Sequence, residues 1–558
     1  MMASLAGAIA ELFTVQNFLW ANFGALVGII MGCIPGLTVT LGIILFLPLT
    51  YQMSAVTSIV MLLSLYTGGM YGGSISAILI NTPGTNSALA TTLDGYPLAR
   101  SGKARKALMC SLMSSVIGGV LAALVLLLAA PQVAKIALKF GAPEYFMLAL
   151  FGMSVIAGVS GKSMMKGIIS AMIGIFIALI GLDSFTGIYR FSFGSKFFMG
   201  GIPLLPALIG MIALEQIIVK VVETQREMRE AEIRHRTMTP DEIEAEKLTL
   251  AKVRREETAS LKGTRRKKGV AMTAEEERIY QNGHLTLMEL WSVKWVLIKS
   301  SALSILIGAM PGAGGGIAQF VSYNEAKRGS KHRELFGHGS LEGLAAAESS
   351  NNAVVGSAMI PLLTLGIPGD GVTAILLGAL TMKGLTPGPT LFTAQANITY
   401  AIIIGNLIAN FILLYQGYYL TQAISRIIQV SYKYLCPMLM IFCFAGAFAN
   451  SNNKNEMIMI VPLAIFAYII DKLGFSVVPM MLGLILGPLV ESNLTRSLII
   501  SEGNPMIFFT RPISLTIFII TVIFVWIFIR MNAQENSLLS DEGAANMIKQ
   551  GLDNETEA

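Results

Sequence analysis

Long apolar segments recur along almost the whole chain of 558 residues. Many of them exceed the ~18–20 residues that an α-helix needs to cross a lipid bilayer. Because backbone groups cannot stay unpaired in lipid, spanning segments of this kind fold as helices. The segments cover residues 18–48, 54–82, 106–130, 143–160, 164–182, 203–222, 292–325, 345–366, 371–382, 391–420, 434–450, 455–472, 477–490 and 512–530. The sequence therefore predicts an all-α polytopic membrane protein with roughly 12 transmembrane helices.

The composition supports the same class of protein. Hydrophobic residues make up 54% of the chain and charged residues only 13%, whereas a typical soluble domain has about 25% charged residues. Most charged side chains lie in short loops and in one central stretch, and the formal net charge is +6. This pattern is typical of basic cytoplasmic loops and gives no reason to expect a nucleic-acid partner.

One long polar stretch, residues 223–290, separates two groups of apolar segments. Acidic and basic residues are interleaved in it, aromatic residues are scarce, and helix-forming residues dominate. This composition predicts a charged, helical cytoplasmic linker, with a docking site for a partner as the alternative. The linker would join a first transmembrane repeat (18–222) to a second one (291–530). Residues 531–558 are polar and acidic and are predicted to be a C-terminal tail without a packed core.

The two groups of apolar segments resemble each other in five places, and the five matches occur in the same order. The matched pairs are MGCIPGLT (Met31–Thr38) with IGAMPGAGGG (Ile307–Gly316), SISAILINTPGTNSALA (Ser74–Ala90) with SAMIPLLTLGIPGDGVTA (Ser357–Ala374), DGYP (Asp94–Pro97) with KGLTPG (Lys383–Gly388), SGKS (Ser160–Ser163) with NNKN (Asn452–Asn455), and LPALIG (Leu205–Gly210) with VPMMLG (Val478–Gly483). Each match is short, but the shared order predicts an internal duplication.

The charged loops predict that the two copies are inverted in the membrane. The loop Pro48–Ser54 of the first half is uncharged, while its counterpart Glu325–Glu334 is rich in basic residues. At the next loop the bias reverses, because Leu98–Lys106 is basic and its counterpart carries only Lys383. Basic loops prefer the cytoplasmic side, so the halves are expected to have opposite orientations.

Pro-Gly pairs interrupt four of the apolar segments. Proline removes a backbone hydrogen bond and clashes with the preceding turn, and glycine permits conformations that other residues avoid. Unpaired backbone groups are tolerated at membrane depth only when they are buried in protein or line a wet cavity. Paired broken helices in corresponding positions of two repeats indicate a solute-binding site. The alternative is that Pro and Gly are simply common in transmembrane helices. The predicted structural breaks are Pro35, Gly36, Pro83, Pro311 and Pro368.

Small polar residues flank the breaks and predict the binding site itself. A helix that begins after a break presents free N–H groups to an anion, while the carbonyls freed before the break could coordinate a cation such as Na⁺. We expect a Na⁺ site near Asn81, Gly366 and Asp370, with H⁺ as the alternative coupling ion. The candidate substrate-binding residues are Asn81, Thr82, Gly84, Thr85, Asn86, Gly312, Gly314, Asn351, Asn352, Gly369, Asp370 and Thr373.

The segment Ala345–Pro361 is unusual because Glu348 and four further polar residues open an apolar span. One interpretation places Glu348 in the first turn of a helix at the membrane interface, where a carboxylate favours the positive end of the helix dipole. The other places Asn351 and Asn352 against the cavity, which the small flanking residues would permit.

Asp370 is the most informative single residue in the sequence. A carboxylate within a membrane segment is costly and suggests a function. It could bind Na⁺, carry a proton, or bind a cationic group of the substrate. The alternative is that the break emerges into water and that Asp370 merely caps the following helix.

The sequence does not predict an enzyme. Membrane aspartyl proteases use Gly-x-Gly-Asp, and here the first glycine of that motif is replaced by Ile367. Asp94 lies in a loop-like DGYP stretch and makes no convincing catalytic partner for Asp370. No nucleophile elbow, phosphate-binding loop or metal-ligand cluster is present in the sequence.

Several long motifs resemble the large membrane subunit of the tripartite tricarboxylate transporters. They are GIIMGCIPGLT, YGGSISAILINTPG, LDGYPLARSGKA, IGAMPGAG, GSLEGLAAAESSNNAVVGSAMIPLLTLGIPG, LLGALTMKGLTPGP, VPMMLGLILGPLVESNLTRSL and FFTRPIS. The similarity covers about Gly24–Arg511 apart from the central linker. Two features depart from the usual pattern, namely the long linker and a carboxylate at Asp370, which would repel a tricarboxylate unless it is protonated or paired with a cation.

The resemblance implies a multi-pass secondary transporter subunit in a bacterial cytoplasmic (inner) membrane. Such a subunit works with a small membrane subunit and a periplasmic solute-binding protein, and uptake of citrate or a related organic anion is coupled to a cation. The absence of intramembrane histidines in the sequence and the number of backbone breaks favour Na⁺ over H⁺. The alternative functions are a channel, or a structural membrane scaffold in which the breaks serve only packing.

Overall fold

The computed structural model is almost entirely helical and describes residues 2–159, 164–183, 185–237, 284–310, 314–427, 432–451, 453–526 and 529–530. Within these residues, six helices are long and apolar enough to cross a membrane, and five shorter apolar helices accompany them. The only strands described are Gly181–Leu182 and Tyr189–Arg190, which pair antiparallel. The prediction of an all-α polytopic membrane protein is therefore confirmed.

The helix boundaries follow the breaks that proline and glycine introduce. The first half contains α-helices Met2–Leu12, Val15–Cys33, Val39–Phe46, Ala55–Ile80, Leu89–Leu98, Ala104–Ala137, Ala142–Val159, Met164–Ala178, Lys196–Met199, Leu204–Leu208 and Glu215–Thr237. The second half contains Leu287–Ser292, Lys294–Gly308, Gly314–Gly329, Leu341–Leu365, Gly371–Met382, Leu391–Ala394, Ala396–Ile427, Tyr432–Ser451, Lys454–Lys472, Val477–Ile500, Ile507–Thr510 and Pro512–Trp526. Short 3₁₀ segments lie at Pro48–Thr50, Asn86–Ala88 and Arg333–Leu335, and π segments at Ala99–Lys103 and Ile209–Leu214.

Contacts divide the chain into two compact units, each assembled from two stretches of sequence. Unit 1 contains residues 1–139 and 203–468, and unit 2 contains residues 140–202 and 469–558. Each predicted repeat thus contributes to both units. The repeat boundaries at residues 222 and 291 stay a prediction, because the units are defined by spatial contacts and not by internal sequence similarity.

Unit 1 is organised around the helix Ala55–Ile80, called here the Tyr66 helix, which is buried along nearly its whole length. It packs backbone to backbone against the helix Val15–Cys33. A Cβ added at Gly28 would lie 2.1 Å from the carbonyl oxygen of Leu65, and one added at Gly32 would lie 2.1 Å from that of Gly69. Small residues allow such close approach in a membrane, where no hydrophobic force drives helices together.

The Tyr66 helix has a counterpart in the helix Leu341–Leu365, called the Glu348 helix. Each ends in a left-handed residue just before a Pro-Gly break, Asn81 with φ 54° and Gly366 with φ 71°. In each turn the following amide bonds back into the helix, from Thr82 to the Ser76 carbonyl at 3.5 Å and from Ile367 to the Pro361 carbonyl at 3.3 Å. The two breaks therefore share one local geometry, which an internal duplication would produce.

The helices that precede these two also pack equivalently. Gly32 approaches the Tyr66 helix at Gly69, as described above. Its matched residue Gly308 approaches the Glu348 helix, where an added Cβ would lie 2.1 Å from the Ser357 hydroxyl oxygen. A small residue at each crossing explains why the MGCIPG and IGAMPG motifs both keep a glycine at this position.

Unit 2 shows the same kind of close packing. A Cβ added at Gly174 would lie 1.8 Å from the carbonyl oxygen of Met480, so the helices Met164–Ala178 and Val477–Ile500 touch through their backbones. Glu144, only 1% exposed, pairs with Arg511 at 2.7 Å between Oε1 and Nε. This ion pair ties the start of the helix Ala142–Val159 to the segment before Pro512.

The central linker is only partly described. The helix Glu215–Thr237 continues past residue 223 into the predicted linker, and residues 238–283 lie outside the described residues. After them, Thr286 and Glu289 form a capping box for the helix Leu287–Ser292. Burial alone would raise the pKa of Glu289, but hydrogen bonds from Lys106 and Thr286 hold it below its ordinary value. The predicted tail 531–558 also lies outside the described residues.

Lys383 joins the end of the helix Gly371–Met382 to the uncharged loop of the first half. Its ammonium donates to the carbonyl oxygens of Thr50, Tyr51 and Met53 at 2.5, 2.8 and 2.9 Å. Thr50 ends the short 3₁₀ segment Pro48–Thr50, and Tyr51 and Met53 follow it. One cation therefore fixes a loop that has no charged residue of its own.

Two interpretations of acidic residues were wrong. Glu348 is not at a helix start, because the Glu348 helix begins at Leu341 with Ser340 as its N-cap. Glu348 lies about two turns into that helix and is 0% exposed. Asp94 is not in a loop, because it lies within the helix Leu89–Leu98 and is also 0% exposed.

Candidate functional site

Asp370 occupies the break before the helix Gly371–Met382 and caps that helix. Its Oδ1 accepts hydrogen bonds from the Thr373 amide at 2.8 Å and the Thr373 hydroxyl at 2.7 Å. Its Oδ2 accepts a hydrogen bond from the Tyr66 hydroxyl. The capping alternative for Asp370 is therefore correct as far as Oδ1 is concerned. The bond from Tyr66 was not predicted, and it ties the second-half break to the centre of the first-half helix.

Thr85 holds the matching position in the first half but behaves differently. Like Asp370 it has an extended backbone, yet its side chain makes no capping hydrogen bond to the 3₁₀ segment Asn86–Ala88 that follows. Its hydroxyl oxygen is buried and has no hydrogen-bond partner among the described residues. The hydroxyl lies close to Gly73, where an added Cβ would be 2.7 Å from it. The first-half break is thus left with an open helix start and an unpaired polar atom.

Asn351 and Asn352 place further unpaired polar atoms in the interior, and both residues are 0% exposed. The Asn351 amide nitrogen donates to the Met70 carbonyl at 3.1 Å and to the Ser74 hydroxyl at 3.2 Å. Within the described chain, the side-chain oxygen of Asn351 has no hydrogen-bond partner, and neither does the side-chain oxygen or nitrogen of Asn352. Their burial excludes an exposed interface position, and the interpretation that these two residues face a substrate cavity stays a prediction.

The glycines that follow the Pro311-Gly312 break lie close to the residues after Pro83-Gly84 and Pro368-Gly369. A Cβ added at Gly315 would lie 2.3 Å from the Ser87 hydroxyl oxygen, and one added at Gly314 would lie 3.9 Å from the Asp370 Cβ. Gly314 adopts φ 63°, a conformation that glycine accepts readily. The start of the helix Gly314–Gly329 therefore lies beside the residues that follow the breaks at Pro83 and Pro368. Pro311 and Gly312, which were predicted to lie here, fall outside the described residues.

The structure separates the remaining candidates from this cluster or gives them a packing role. Asn81, Thr82 and Asn86 are exposed, and the Thr82 hydroxyl donates to the Ile80 carbonyl. Thr373 is fully buried and serves the Asp370 cap. These positions stay predictions as substrate ligands, but their contacts give them local structural roles.

Gly84 and Gly369, which follow Pro83 and Pro368, are packing residues. A Cβ added at Gly84 would lie 1.8 Å from the carbonyl oxygen of Gly32, and one added at Gly369 would lie 2.7 Å from the Ala358 Cα. Each glycine therefore lets its break fold down onto a neighbouring helix.

The fourth break, Pro35-Gly36, faces different neighbours. A Cβ added at Gly36 would lie 3.0 Å from Lys220 Cε. Nearby, the Thr38 hydroxyl donates to the Gln216 side-chain oxygen at 3.1 Å. The structure thus places this break against the helix Glu215–Thr237. These contacts do not involve Thr85 or Asn351.

The predicted Na⁺ site near Asn81, Gly366 and Asp370 has little support from the surroundings of these residues. Asn81 is exposed, Gly366 packs toward the Pro387 carbonyl, and both oxygens of Asp370 are engaged. No group of three or more His, Cys, Asp or Glu residues suited to a metal was found among the described residues. The location of a cation near these three residues stays a prediction.

A buried hydrogen-bond network that the sequence did not predict surrounds Glu348. The Thr91 hydroxyl donates to Glu348 Oε1, and the Ser115 hydroxyl donates to Oε2 at 2.9 Å. The Gln319 amide nitrogen donates to the Thr91 oxygen at 3.0 Å. An acidic residue inside an apolar segment was the available signal. It was interpreted as a cap because the sequence does not show that the helix starts earlier.

Asp94 forms a second buried carboxylate site with a structural role. Its Oδ1 accepts the backbone amides of Gly337, Gly339 and Ser340 at 2.9, 2.9 and 2.8 Å. Its Oδ2 accepts the Tyr323 hydroxyl at 2.8 Å. The charge is balanced by oriented donors, so Asp94 clamps the loop that leads into the Glu348 helix.

Comparison with known proteins fits this architecture. An uncharacterized 52.8 kDa protein in the TAR-I ttuC' 3' region of Agrobacterium vitis is 33% identical over 515 residues, which cover 92% of this chain and 93% of that protein. An uncharacterized protein in the TAR-II ttuC' 3' region of the same organism is 38% identical over 209 residues, covering 38% of this chain and 86% of that protein. No solved structure matches the chain.

The family comparison is more specific. The model of the tripartite tricarboxylate transporter TctA family matches residues 18–482, which include all four Pro-Gly breaks, Asp370 and the Glu348 helix. The match continues through both halves of the chain and across the central linker. This chain therefore belongs to the tripartite tricarboxylate transporter TctA family.

Proposed function

We propose that this membrane transporter component is the large subunit of a secondary uptake system for a small organic anion, either a tricarboxylate, a dicarboxylate or a related carboxylate. Uptake is driven by symport of a cation, with Na⁺ preferred over H⁺. The observation that carries the proposal is the set of buried polar atoms without partners in Thr85, Asn351 and Asn352. They lie on the elements that the Pro-Gly breaks interrupt.

The energetic argument begins from the cost of these atoms. A buried polar atom without a partner destabilises a protein by ~1–3 kcal/mol, and nearly all buried polar groups in proteins are hydrogen-bonded. An oxygen of Thr85, an oxygen of Asn351 and both polar atoms of Asn352 share this condition among the described residues. A polar solute or its water would supply the missing partners, which explains why a membrane protein retains them.

The charges and helix ends favour an anion near Thr85. The short 3₁₀ segment after Thr85 has no side-chain cap. The Thr85 carbonyl accepts the Ala88 amide and the Gln319 side chain accepts the Ala90 amide, so the N–H groups at the start of the segment are the ones that would receive a carboxylate. The corresponding helix start after Asp370 is capped by Asp370 itself. Asp370 also accepts the Tyr66 hydroxyl, so its charge is held by local donors. An anionic substrate is therefore better accommodated at the first-half break than at the second.

The shared geometry of the turns at Asn81 and Gly366, which precede the Pro83 and Pro368 breaks, supports a pair of structural repeats. The charge bias of their loops favours an inverted arrangement, with the basic loops on the cytoplasmic side. In transporters with inverted repeats, one repeat rocks against the other around a central site and exposes it to alternate sides. We extend this mechanism to the present chain.

Membership in a tripartite family implies that the chain works with other subunits. We propose that these are a small membrane subunit and a periplasmic solute-binding protein that delivers the anion, and that the chain lies in a bacterial cytoplasmic membrane. The exposed apolar helix faces are suited to lipid and to a small membrane partner.

Thr85→Val provides the sharpest test because valine keeps the shape of threonine and removes only the unpaired hydroxyl. We expect the purified variant to be as stable as the wild type or slightly more stable, since removing an unsatisfied buried group is favourable. We expect uptake of a labelled carboxylate, measured in cells that contain both partner subunits, to fall at least about tenfold, the equivalent of ~1.4 kcal/mol.

Thr364→Val is the matched control. Thr364 is fully buried, and its hydroxyl, unlike that of Thr85, bonds to the Ile360 carbonyl of its own helix, so uptake should be retained. If Thr85→Val transports as well as the wild type, the scaffold alternative is favoured and the proposed site is wrong. If flux persists without the solute-binding protein and without any cation gradient, the chain is a channel.

A further inference from the structure

Glu348 is a fully buried carboxylate for which the described residues supply no counter-charge. It is 0% exposed, and no lysine, arginine or histidine in the described part of the chain lies within ion-pair distance of it. Its neighbours Thr91, Ser115 and Gln319 are all uncharged. Asp94 receives four donors, whereas Glu348 receives only the two hydroxyls of Thr91 and Ser115. A proton or a bound cation would offset the remaining penalty for its buried charge, which is several kcal/mol for an isolated ion.

The directions of the hydrogen bonds around Glu348 make its carboxylate an acceptor. The Gln319 amide nitrogen donates to the Thr91 oxygen at 3.0 Å, so the Thr91 proton is directed at Glu348 Oε1. The Ser115 hydroxyl donates to Oε2 at 2.9 Å. Gln319 is itself fixed, because its side-chain oxygen accepts the Ala90 amide at 2.9 Å. Each oxygen thus receives one hydroxyl donor and keeps further lone pairs for another ligand.

Unpaired oxygen atoms lie one helical turn away on each of the two helices that meet here. Ser111 precedes Ser115 by one turn, and its hydroxyl lies near the Glu348 carboxylate without a well-aligned hydrogen bond among the described residues. Asn352 follows Glu348 by one turn, is 0% exposed, and has two unpaired polar atoms in the described chain. Residues one turn apart share a helix face. The carboxylate is therefore accompanied by neutral oxygen ligands that a bound proton would not need.

Resting on the uptake function proposed above, we infer that Glu348, with the oxygens of Ser111 and Asn352, binds the Na⁺ ion that is symported. Hard cations take carboxylate, carbonyl and other neutral oxygen ligands, and Na⁺ sites of secondary transporters lie in the protein interior near broken helices. One Na⁺ balances the single negative charge of Glu348. Thr91 and Ser115 orient the carboxylate and are positioning residues.

Ser74 links this cation site to the polar atoms assigned to the anion. Its hydroxyl lies near Glu348, donates to the Met70 carbonyl at 3.4 Å and accepts the Asn351 amide nitrogen at 3.2 Å. A cation that moves the Glu348 carboxylate would therefore shift Ser74 and, through it, Asn351. This shared hydroxyl gives the two ligands a direct physical route for coupling.

Cation binding can be measured without substrate or partner subunits. We would record thermal unfolding of the purified chain in detergent, in NaCl, KCl or choline chloride at equal ionic strength. Because a ligand that binds only the folded state stabilises it, Na⁺ should raise Tm saturably in the wild type, and K⁺ and choline should not. Glu348→Gln should lose the Na⁺-dependent rise. Glu342→Gln, the same change in the first turn of the same helix, should keep it.

Ser111→Ala is a second variant that tests the site even if Glu348→Gln fails to fold. It removes only an unpaired hydroxyl, so the fold should be retained, while the Na⁺ concentration for half-maximal stabilisation should rise about tenfold, as loss of ~1.4 kcal/mol of binding requires. The inference is overturned if Glu348→Gln and Ser111→Ala respond to Na⁺ like the wild type. It is equally overturned if Na⁺ has no specific effect and acidification stabilises only proteins that retain Glu348, since the site then binds a proton.

The outcome for this site is separable from that for the uptake proposal. A Na⁺ response that requires Glu348, together with uptake that ignores the Na⁺ gradient, would retain the site and refute symport. Na⁺-driven uptake in the wild type and in Glu348→Gln alike would retain symport and refute the site.

Discussion

Gly84→Ala tests whether the first-half break is held by close backbone packing. The added Cβ would lie 1.8 Å from the Gly32 carbonyl oxygen and 2.9 Å from the Gly73 Cα, far inside an ordinary contact of roughly 3.5 Å. Overpacking of this kind costs ~1–3 kcal/mol. The hydrogen bond from the Gly84 amide to the Gly73 carbonyl at 3.2 Å would be strained, and its loss costs ~0.5–1.5 kcal/mol. We therefore expect a total destabilisation of roughly 2–4 kcal/mol.

Two further glycines give this prediction a graded comparison. Gly369 holds the matching position in the second half, where an added Cβ would lie 2.7 Å from the Ala358 Cα. The smaller overlap should cost only ~1–2 kcal/mol. Gly329 has nothing within 4 Å of an added Cβ, so Gly329→Ala should be neutral or stabilising by up to ~1 kcal/mol.

The assay is thermal unfolding of the three purified variants in one detergent, combined with uptake in cells at matched protein levels. Stability should fall in the order Gly329→Ala, Gly369→Ala, Gly84→Ala. Uptake should fall with Gly84→Ala because the Thr85 hydroxyl is displaced with the break. If Gly84→Ala and Gly329→Ala are equally stable and equally active, the packing argument for the break is refuted.

Three other predictions address residues outside the anion site. Asp94→Ala should destabilise the chain by ~3 kcal/mol or more, because four donors, two of them buried, lose their acceptor. Unfolding experiments should show no such loss for the exposed Glu334→Ala, and equal stability of the two variants would contradict the clamp. Lys383→Met should speed amide hydrogen exchange in the loop around Tyr51, which the ammonium holds, whereas Lys454→Met should not; identical exchange would show that the three contacts contribute nothing. Asn81→Gly should retain uptake and stability, because Asn81 serves through its left-handed backbone, φ 54°, and loss of uptake would instead make its side chain a ligand.

The sequence was sufficient to locate the breaks because their causes are local. Pro83 and Pro368 remove a backbone donor wherever they occur, and the residue two positions before each proline accepts a left-handed conformation. The left-handed turns at Asn81 and Gly366 follow from residue types that tolerate positive φ. The duplication was predicted on the same local grounds, and the equivalent turns at Asn81 and Gly366 are what it would produce.

The sequence could not show which polar residues are buried together. Thr85 and Asp370 hold equivalent positions, but only Asp370 caps its helix, and the difference depends on what surrounds each side chain. Glu348 was interpreted as a helix cap because its partners Thr91 and Ser115 come from the other half of the chain. Burial of this kind arises from long-range packing, which periodicity and composition do not encode.

The same limit applies to the glycines beside the prolines. Gly84 was a candidate ligand because a glycine lets a solute approach the backbone closely. The structure instead places the Gly32 carbonyl where a solute would have to lie. A sequence cannot distinguish these two uses of a glycine, since both require the missing side chain.

The central claim is that a cation at Glu348 and an anion at Thr85 and Asn351 bind cooperatively. The most direct measurement is the Na⁺ affinity of the purified chain with and without the transported carboxylate, compared between the wild type and Thr85→Val. Because coupling between two ligands is reciprocal, the carboxylate should tighten Na⁺ binding in the wild type. Thr85→Val should bind Na⁺ normally and lose that effect. Na⁺ binding that is unaffected by the carboxylate, or tightened equally in both proteins, would contradict the account.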